Sequence, residues 1–457
     1  MIISYLKKIP VLHESANLRY ATFFYLYIMQ GIPAGFALTT IANYLIGQHV
    51  PSQNVGSFIA LVGLPWIAQF IWGPFIDRYQ FSTMGHRKHW VVFSQWASIL
   101  VSIFLIFIHD PKAQLTSLSL IFFVHSIFAS IQVASVDAMA ITIAPEQERG
   151  RLNAFMRGGF LIGTAFGAAV LSVILHAYGF QIAAITETGV LLTFAILFFF
   201  TKLEYKNTLF PSFLNPHQKA ENGTDINPAF RRVFKKVYFG ITRKKSIRYF
   251  AIVAIVYFCS SVFIRSYTFH LINVLKWSDG TVSLIQGGWG SILTFSCIIL
   301  AGLQSDRMGA KRMQVKVMWA VCIFLLLLNI FSLFYYNKFL SGAALLIWNL
   351  ADPLLSVTIF PILMALCLRR VEGSQFTAYL AMINLCDVLG SYVTGWSLNV
   401  ISAPVLGLTC GLILLVMLLF LWANDYKFIP YNHTITESRA ERTNVLTASS
   451  LIDLSDK

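Results

Sequence analysis

Gly73-Pro74-Phe75-Ile76-Asp77-Arg78 and Gly302-Leu303-Gln304-Ser305-Asp306-Arg307 are two versions of one turn, 229 residues apart. Each follows an apolar run and leads into a basic segment, Gly85-His86-Arg87-Lys88 after the first and Met308-Gly309-Ala310-Lys311-Arg312 after the second. The same offset relates Arg19-Tyr20 to Arg248-Tyr249, each of which opens an apolar run. A fixed offset between matching elements marks an internal repeat, so the chain reads as two halves of one design.

The medium of that design is a membrane. Hydrophobic residues make up 57% of the chain and charged residues 12%, with a mean hydropathy of +0.68. Soluble domains carry roughly 25% charged residues. The apolar runs predict twelve spans, at 20–44, 54–76, 89–109, 116–144, 152–176, 181–201, 249–273, 281–303, 315–336, 341–367, 376–400 and 404–424. Each is near the ~20 residues that cross a bilayer. The expected fold is therefore an all-α membrane protein, with twelve transmembrane helices in two pseudo-symmetric six-helix halves. The halves are 1–201 and 249–424. A basic linker, 202–248, joins them, and a polar, disordered tail, 425–457, follows. The first run has full spanning length behind a short start bearing Lys7 and Lys8, so it is expected to stay as a helix.

The net charge of +14 follows topology. Of 34 Lys and Arg residues, only Lys112, Lys276 and Lys338 fall in one set of loops, and only Arg157 and Arg265 fall well inside spans, Lys316 lying at the very edge of the ninth. All the others lie on the side of the termini, which the positive-inside rule makes cytosolic. No nucleic-acid surface is implied. The expected partners are a small solute, protons and membrane lipids, and the expected state is a monomer. In the linker, Phe230, Val233, Phe234, Val237 and Ile241 share a helical face opposite Arg231, Arg232, Lys235 and Lys236. That pattern suits a tether lying on the inner leaflet. The six cysteines all fall in the second half, none with metal-ligand spacing, so no metal or cofactor is expected. A Walker loop, HExxH, a nucleophile elbow and CxxC are all absent from the sequence, which argues against an ATP-driven pump and against an enzyme.

Charge inside a bilayer is expensive, so each ionisable group there is a functional candidate. Tyr257, Ser261, Arg265 and Thr268 form one stripe of the seventh span. Asn349, Asp352 and Ser356 form a stripe of the tenth, with Trp348 beside it. The predicted boundaries put Arg265 about 12 Å and Asp352 about 15 Å below the outer end. That predicts an Arg265–Asp352 pair. Arg265 would hold a carboxylate or phosphate of the solute, and protonation of Asp352 would couple transport to protons. The competing reading is a static ion pair. Asp387, with Asn384 and Ser391 on its face, and Asp137 are the alternative proton sites. Asp137 and Arg157 are expected to face each other across a short turn as a structural latch. Glu146, Glu148 and Arg149 lie in that turn, and the two glutamates are expected to reach Arg78 or Arg87 when the inner side is closed. Asp77, Arg78, Arg87, Asp306, Arg307 and Lys311 complete the expected inner-gate charges. Glu187 is expected near an outer end, snorkelling to water. His125 and Gln132 share a face of the fourth span, with Gln132 a candidate solute contact. Gln30-Gly31-Ile32-Pro33-Ala34-Gly35 is expected to interrupt the first span, either as a packing kink or as a bent segment offering Gln30 to the solute.

The Gly-x-x-x-Asp-Arg-x-Gly pattern, repeated after the second and eighth spans, resembles that of the major facilitator superfamily. The longer insert Tyr79 to Met84, flanked by Trp72-Gly73-Pro74 and Trp90, is similar to the branch of muropeptide permeases, acetyl-coenzyme A transporters and siderophore permeases. Gln30-Gly31-Ile32-Pro33, Leu64-Pro65-Trp66, Glu148-Arg149-Gly150 and Ser374-Gln375-Phe376 extend that resemblance. The chain departs from the branch in its fourth span. There the branch often has Gln-Asp-x-Ala-x-Asp, and this chain reads Gln132-Val133-Ala134-Ser135-Val136-Asp137. The resemblance implies a secondary transporter of the inner membrane working by alternating access, with proton-coupled uptake of a siderophore or a muropeptide. The alternatives are transport of an acetyl-coenzyme A-like or other organic anion, a non-transporting receptor, and a membrane-embedded transferase.

Overall fold

A computed structural model describes residues 11–79, 82–85, 87–145, 148–210, 237–297, 308–334, 338–367 and 372–430. Within them the helices are α1 (Ala16–Gly47), α2 (Ser52–Gly73), α3 (Lys88–Phe107), α4 (Leu115–Ile143), α5 (Arg151–Tyr178) and α6 (Phe180–Phe200), then α7 (Lys244–Val274). α8 (279–297) follows, and then α9 (Ala310–Phe331), α10 (Lys338–Ala365), α11 (Gln375–Ser397) and α12 (Ala403–Ala423). Among the described residues eleven are long and apolar enough to cross a membrane. The expected eighth span is α8, which is helical up to the edge of the described residues. The linker from 211 to 236 and the tail from 431 lie outside them, as do Glu146, Asp306 and Arg307.

Long helices are the expected outcome, because only internally bonded backbone is stable in lipid. The outward faces are apolar, with Leu100, Phe104, Ile141, Phe200, Ile292, Val416 and Trp422 all exposed. Successive helices run up and down, so one end of the bundle carries Ala16, Ile143, Arg151 and Phe200. We call this the terminal end, and the end carrying Gly47, Ser52, Tyr178 and Asp279 the far end. Gly179, at φ +87°, turns α5 directly into α6.

Glycines set the closest helix pair. On α1, a Cβ at Gly31 would lie 2.3 Å from Phe160 O, and one at Gly35 2.2 Å from Thr164 O. On α5, Gly159, Gly163 and Gly167 would meet α1 carbonyls at 2.3, 2.2 and 2.1 Å. Small residues every fourth position let two backbones touch. This is where the expected interruption of the first span is corrected. The α-helix runs unbroken from Ala16 through Pro33 to Gly35, and its distortion is a π-turn at Phe36–Ile41. Three further π-turns occur, at Phe166–Val170 in α5, His270–Val274 in α7 and Leu284–Trp289 in α8. α10 is the broken helix. It stops at Trp348 and resumes at Ala351. Pro353 lacks the N–H that would bond the Asn349 carbonyl. Thr294 Oγ1 donates to that carbonyl instead, at 3.1 Å.

Candidate functional site

Hydrogen bonds join the first six helices to the last six between the far end and mid-depth. Asn43 Nδ2 donates to Ser283 Oγ and Gln286 Oε1, both at 2.9 Å. Ser52 Oγ donates to Gly395 O at 2.9 Å and Asn399 Oδ1 at 3.2 Å. His49 Nδ1 lies 3.0 Å from Asn273 Oδ1, and His176 Nε2 2.9 Å from Asp279 Oδ2. Asn384 Nδ2 reaches Trp66 O at 3.4 Å near mid-depth. The far end is thus stitched shut. Behind it lies a cavity of about 30 Å³, lined by Asn43, Thr268, Gln286, Ser391, Thr394 and Arg265. That is room for water and for no solute.

Below this closure, charged side chains from both sets of helices form a ladder along the axis. Arg265 Nη2 lies 3.7 Å from Asp387 Oδ2, and Arg265 Nη1 donates to Leu38 O in the α1 π-turn at 3.3 Å. Asp352 comes next, within electrostatic range of Asp387, Arg157 and Tyr257. Arg157 is also within range of Asp137 and Tyr27, and the Tyr27 hydroxyl donates to Asp137 Oδ1. Arg157 and Asp352 are exposed although both sit among these groups inside the bundle. They therefore reach solvent-accessible space within the bundle.

This geometry corrects the expected Arg265–Asp352 pair. Arg265 lies nine residues before the end of α7 and Asp387 ten before the end of α11, so both sit about 14–15 Å below the far end. α10 begins at Lys338, earlier than expected, which puts Asp352 about 21 Å down. Ser261 Oγ donates to the Asp387 carbonyl at 3.0 Å, so the polar stripe of α7 faces α11 rather than α10. The structure brings together Tyr257, Arg265, Asp387, Asp352, Arg157 and Asp137. It does not bring the other solute candidates to the same space. Trp348 is buried against Phe263 and Phe324. Asn349 Nδ2 donates to its own Leu345 carbonyl, Gln132 reaches only Met29 Sδ at 3.8 Å, and Gln30 is buried with neither amide atom bonded. Tyr27 was not singled out by sequence, because a tyrosine in an apolar helix carries no signal until its neighbour is known.

The expected contact of Glu148 with Arg78 or Arg87 belongs to a closed inner side, and in this structure Glu148 is paired elsewhere. It takes a bidentate contact from Arg19 at 2.7–3.1 Å, and Arg19 also donates to Leu12 O and His13 O at 2.8 Å. Arg87 donates to the Ala138 carbonyl and to Thr142 Oγ1 on α4. Lys311 opens α9 half-buried, and the side chains of Asp77, Arg78 and Arg149 lie outside the description. Glu187 does not snorkel. It is fully buried on α6, and neither carboxyl oxygen has a hydrogen-bond partner. His125 is satisfied by Ser102 Oγ at 2.9 Å, as a packing residue.

The comparisons agree with this architecture. A family model described as Major Facilitator Superfamily matches residues 21–393. The anhydromuropeptide permease of Escherichia coli K12 is 22% identical over 381 residues, covering 80% of this chain and 71% of the permease. An uncharacterised protein of Haemophilus influenzae is 28% identical over 138 residues, 29% of this chain and 32% of that protein, so the match spans about a third of that relative. A crystal structure of a POT family transporter in complex with a thioalcohol-conjugated peptide has the same fold. Its TM-score is 0.66 at 13% identity, over 90% of this chain and 96% of that one. The chain belongs to the Major Facilitator Superfamily, as a multi-pass membrane transporter whose relatives include a muropeptide permease.

Proposed function

We propose that this transporter takes up a polar, carboxylate-bearing solute, a muropeptide, by proton-coupled alternating access across the bacterial inner membrane. In this reading both termini are cytosolic and the far end faces outward. The two units that move are residues 1–201 and 249–424, joined by the linker 202–248 and followed by the tail 425–457. The observation that carries the reading is the ladder Arg265–Asp387, Asp352, Arg157–Asp137, drawn from both units and bordering solvent-accessible space within the bundle. Arg265 and Arg157 supply the cations that a carboxylate needs. Asp352 is exposed between them and stands within range of a second acid, Asp387. Acids inside a membrane span that face the interior of a bundle are the groups from which proton relays are built. Asp352 is the first candidate for coupling, with Asp387 and Asp137 behind it. The kinship with an anhydromuropeptide permease supports the muropeptide over the siderophore.

The test is uptake of labelled anhydromuropeptide and labelled ferric siderophore into vesicles, with and without an inward proton gradient. Gradient-driven accumulation of the muropeptide alone is the expected result. Asp352→Asn should bind the solute yet fail to concentrate it. Accumulation by that variant at the parent level would remove Asp352 from the mechanism, and accumulation of neither solute would refute the substrate class.

A further inference from the structure

The far-end closure contains one contact that a neutral side chain cannot make. His176 lies in the last turn of α5, and Asp279 in the first turn of α8. The two helices belong to opposite halves. His176 Nε2 is 2.9 Å from Asp279 Oδ2, and Nδ1 is 2.7 Å from the Ser172 carbonyl oxygen. Both partners only accept hydrogen bonds. A neutral imidazole has a single N–H, so making both contacts requires the imidazolium. The position favours that charge, since a helix C-terminus attracts a cation and the first turn of α8 favours the Asp279 anion.

The contact is also closely fitted. A Cβ at Gly280 would lie 3.3 Å from His176 Cε1, and one at Gly47 3.1 Å from Asp279 Cγ. The His176 side chain remains 40% exposed and that of Asp279 16%, so a proton can reach the pair from the far-end solution. The other titratable neighbours make no such contact. Tyr44 of α1 meets the imidazole edge-on at 6.3 Å, with Asp110 within electrostatic range of Tyr44. Lys112, in the same loop as Asp110, donates to Gln48 O. Tyr178 is exposed at the end of α5, and Glu187 of α6 is fully buried. The π-turns of α1 and α5 carry no titratable residue, that of α7 carries the buried His270, and Lys276 beyond it is exposed.

We propose that the His176–Asp279 pair is a proton-binding site in the outer gate, through which protons of the outer solution hold that gate closed. It rests on the reading of the far end as the outward gate of an alternating-access cycle. With the proton bound, the imidazolium joins the two halves. As pH rises and the proton leaves, one of the two N–H donors is lost, Asp279 no longer faces a cation, and the gate loosens. The pair faces the same solution whether the gate is open or shut. It therefore sets the gate's response to outer pH and carries no proton across.

The test measures the gate itself. Spin labels are placed on cysteines introduced at Ala113 and Val400, exposed positions of opposite halves at the far end, with the six native cysteines replaced. The label-to-label distance is measured in liposomes at about pH 5.5 and about pH 8.5, either side of the ordinary histidine value. The parent should gain open-gate population by ~3–5-fold at the higher pH, the size expected of a partly exposed ion pair. His176→Gln and Asp279→Asn should lose that pH response. His176→Lys, with a permanent charge, should keep the short distance at both pH values. A pH response in His176→Gln equal to the parent's, or one in His176→Lys, overturns the proposal. If the parent's distance moves with neither pH nor solute, the alternating-access reading is what fails. If it moves with solute but not with pH, the proton site alone fails.

Discussion

Gly287 on α8 is a place where one methyl group should change which state the transporter occupies. It lies in the α8 π-turn and packs against Ala168 in the α5 π-turn, across the two halves at the closed end. A Cβ at Gly287 would lie 2.1 Å from the Ala168 Cβ. Carbon atoms rest about 3.5–4.0 Å apart, so Gly287→Ala requires α5 and α8 to separate by about 1.5 Å wherever the far end is shut. Overpacking of that kind costs ~1–3 kcal/mol. The penalty applies only while these helices touch, so it acts on the equilibrium between states rather than on folding. The closed-to-open ratio of the far end should fall by ~5–150-fold. A cysteine introduced at Thr268, buried beside the far-end cavity, reports it through its labelling rate with a membrane-impermeant maleimide. Gly189→Ala is the control, because nothing lies within 4 Å of its added Cβ. Labelling of Thr268→Cys in Gly287→Ala at the parent rate, or an equal rise in the Gly189→Ala control, would refute the wedge argument.

Two further outcomes concern stability. Gly163→Ala places a Cβ 2.2 Å from the Ile28 carbonyl inside the first half, where no gate motion relieves it. It should lower unfolding stability by ~1–3 kcal/mol in a detergent melt, while Gly189→Ala stays within ~1 kcal/mol of the parent or gains. Glu148→Gln takes the carboxylate from Arg19, whose side chain is 4% exposed against 25% for Glu148. The loss should be ~1–3 kcal/mol, below the ~3–5 of a fully buried pair because Glu148 keeps some water. An unchanged melt would mean that the Leu12 and His13 carbonyls alone satisfy Arg19.

Sequence alone determined the medium, the all-helical fold and the family, because these follow from long-range averages. Twenty apolar residues in a row have one stable form in lipid whatever their neighbours. The two Asp-Arg turns repeat because the halves repeat. Intramembrane charges were likewise visible as expensive exceptions, and Arg265, Asp352, Asp387, Asp137 and Arg157 were all singled out by that rule. Their partners were decided only by tertiary structure. Helical rise fixes depth to a few ångströms, and Asp352 and Asp387 differ by less than two helical turns. The choice between them for Arg265 hung on where α10 begins and on which face of α7 meets α11. Glu148 meets Arg19 because the glycines of α1 and α5 hold those two helices in contact. Seven residues from a helix end is a short distance along the chain, so position alone predicts that Glu187 reaches water. The structure buries it, because burial depends on what packs around the side chain. His176 and Asp279 lie 103 residues apart, on helices of opposite halves, and no local pattern joins them. Chain position fixes depth and side. Which charges meet at a given depth is settled by how the helices turn and pack.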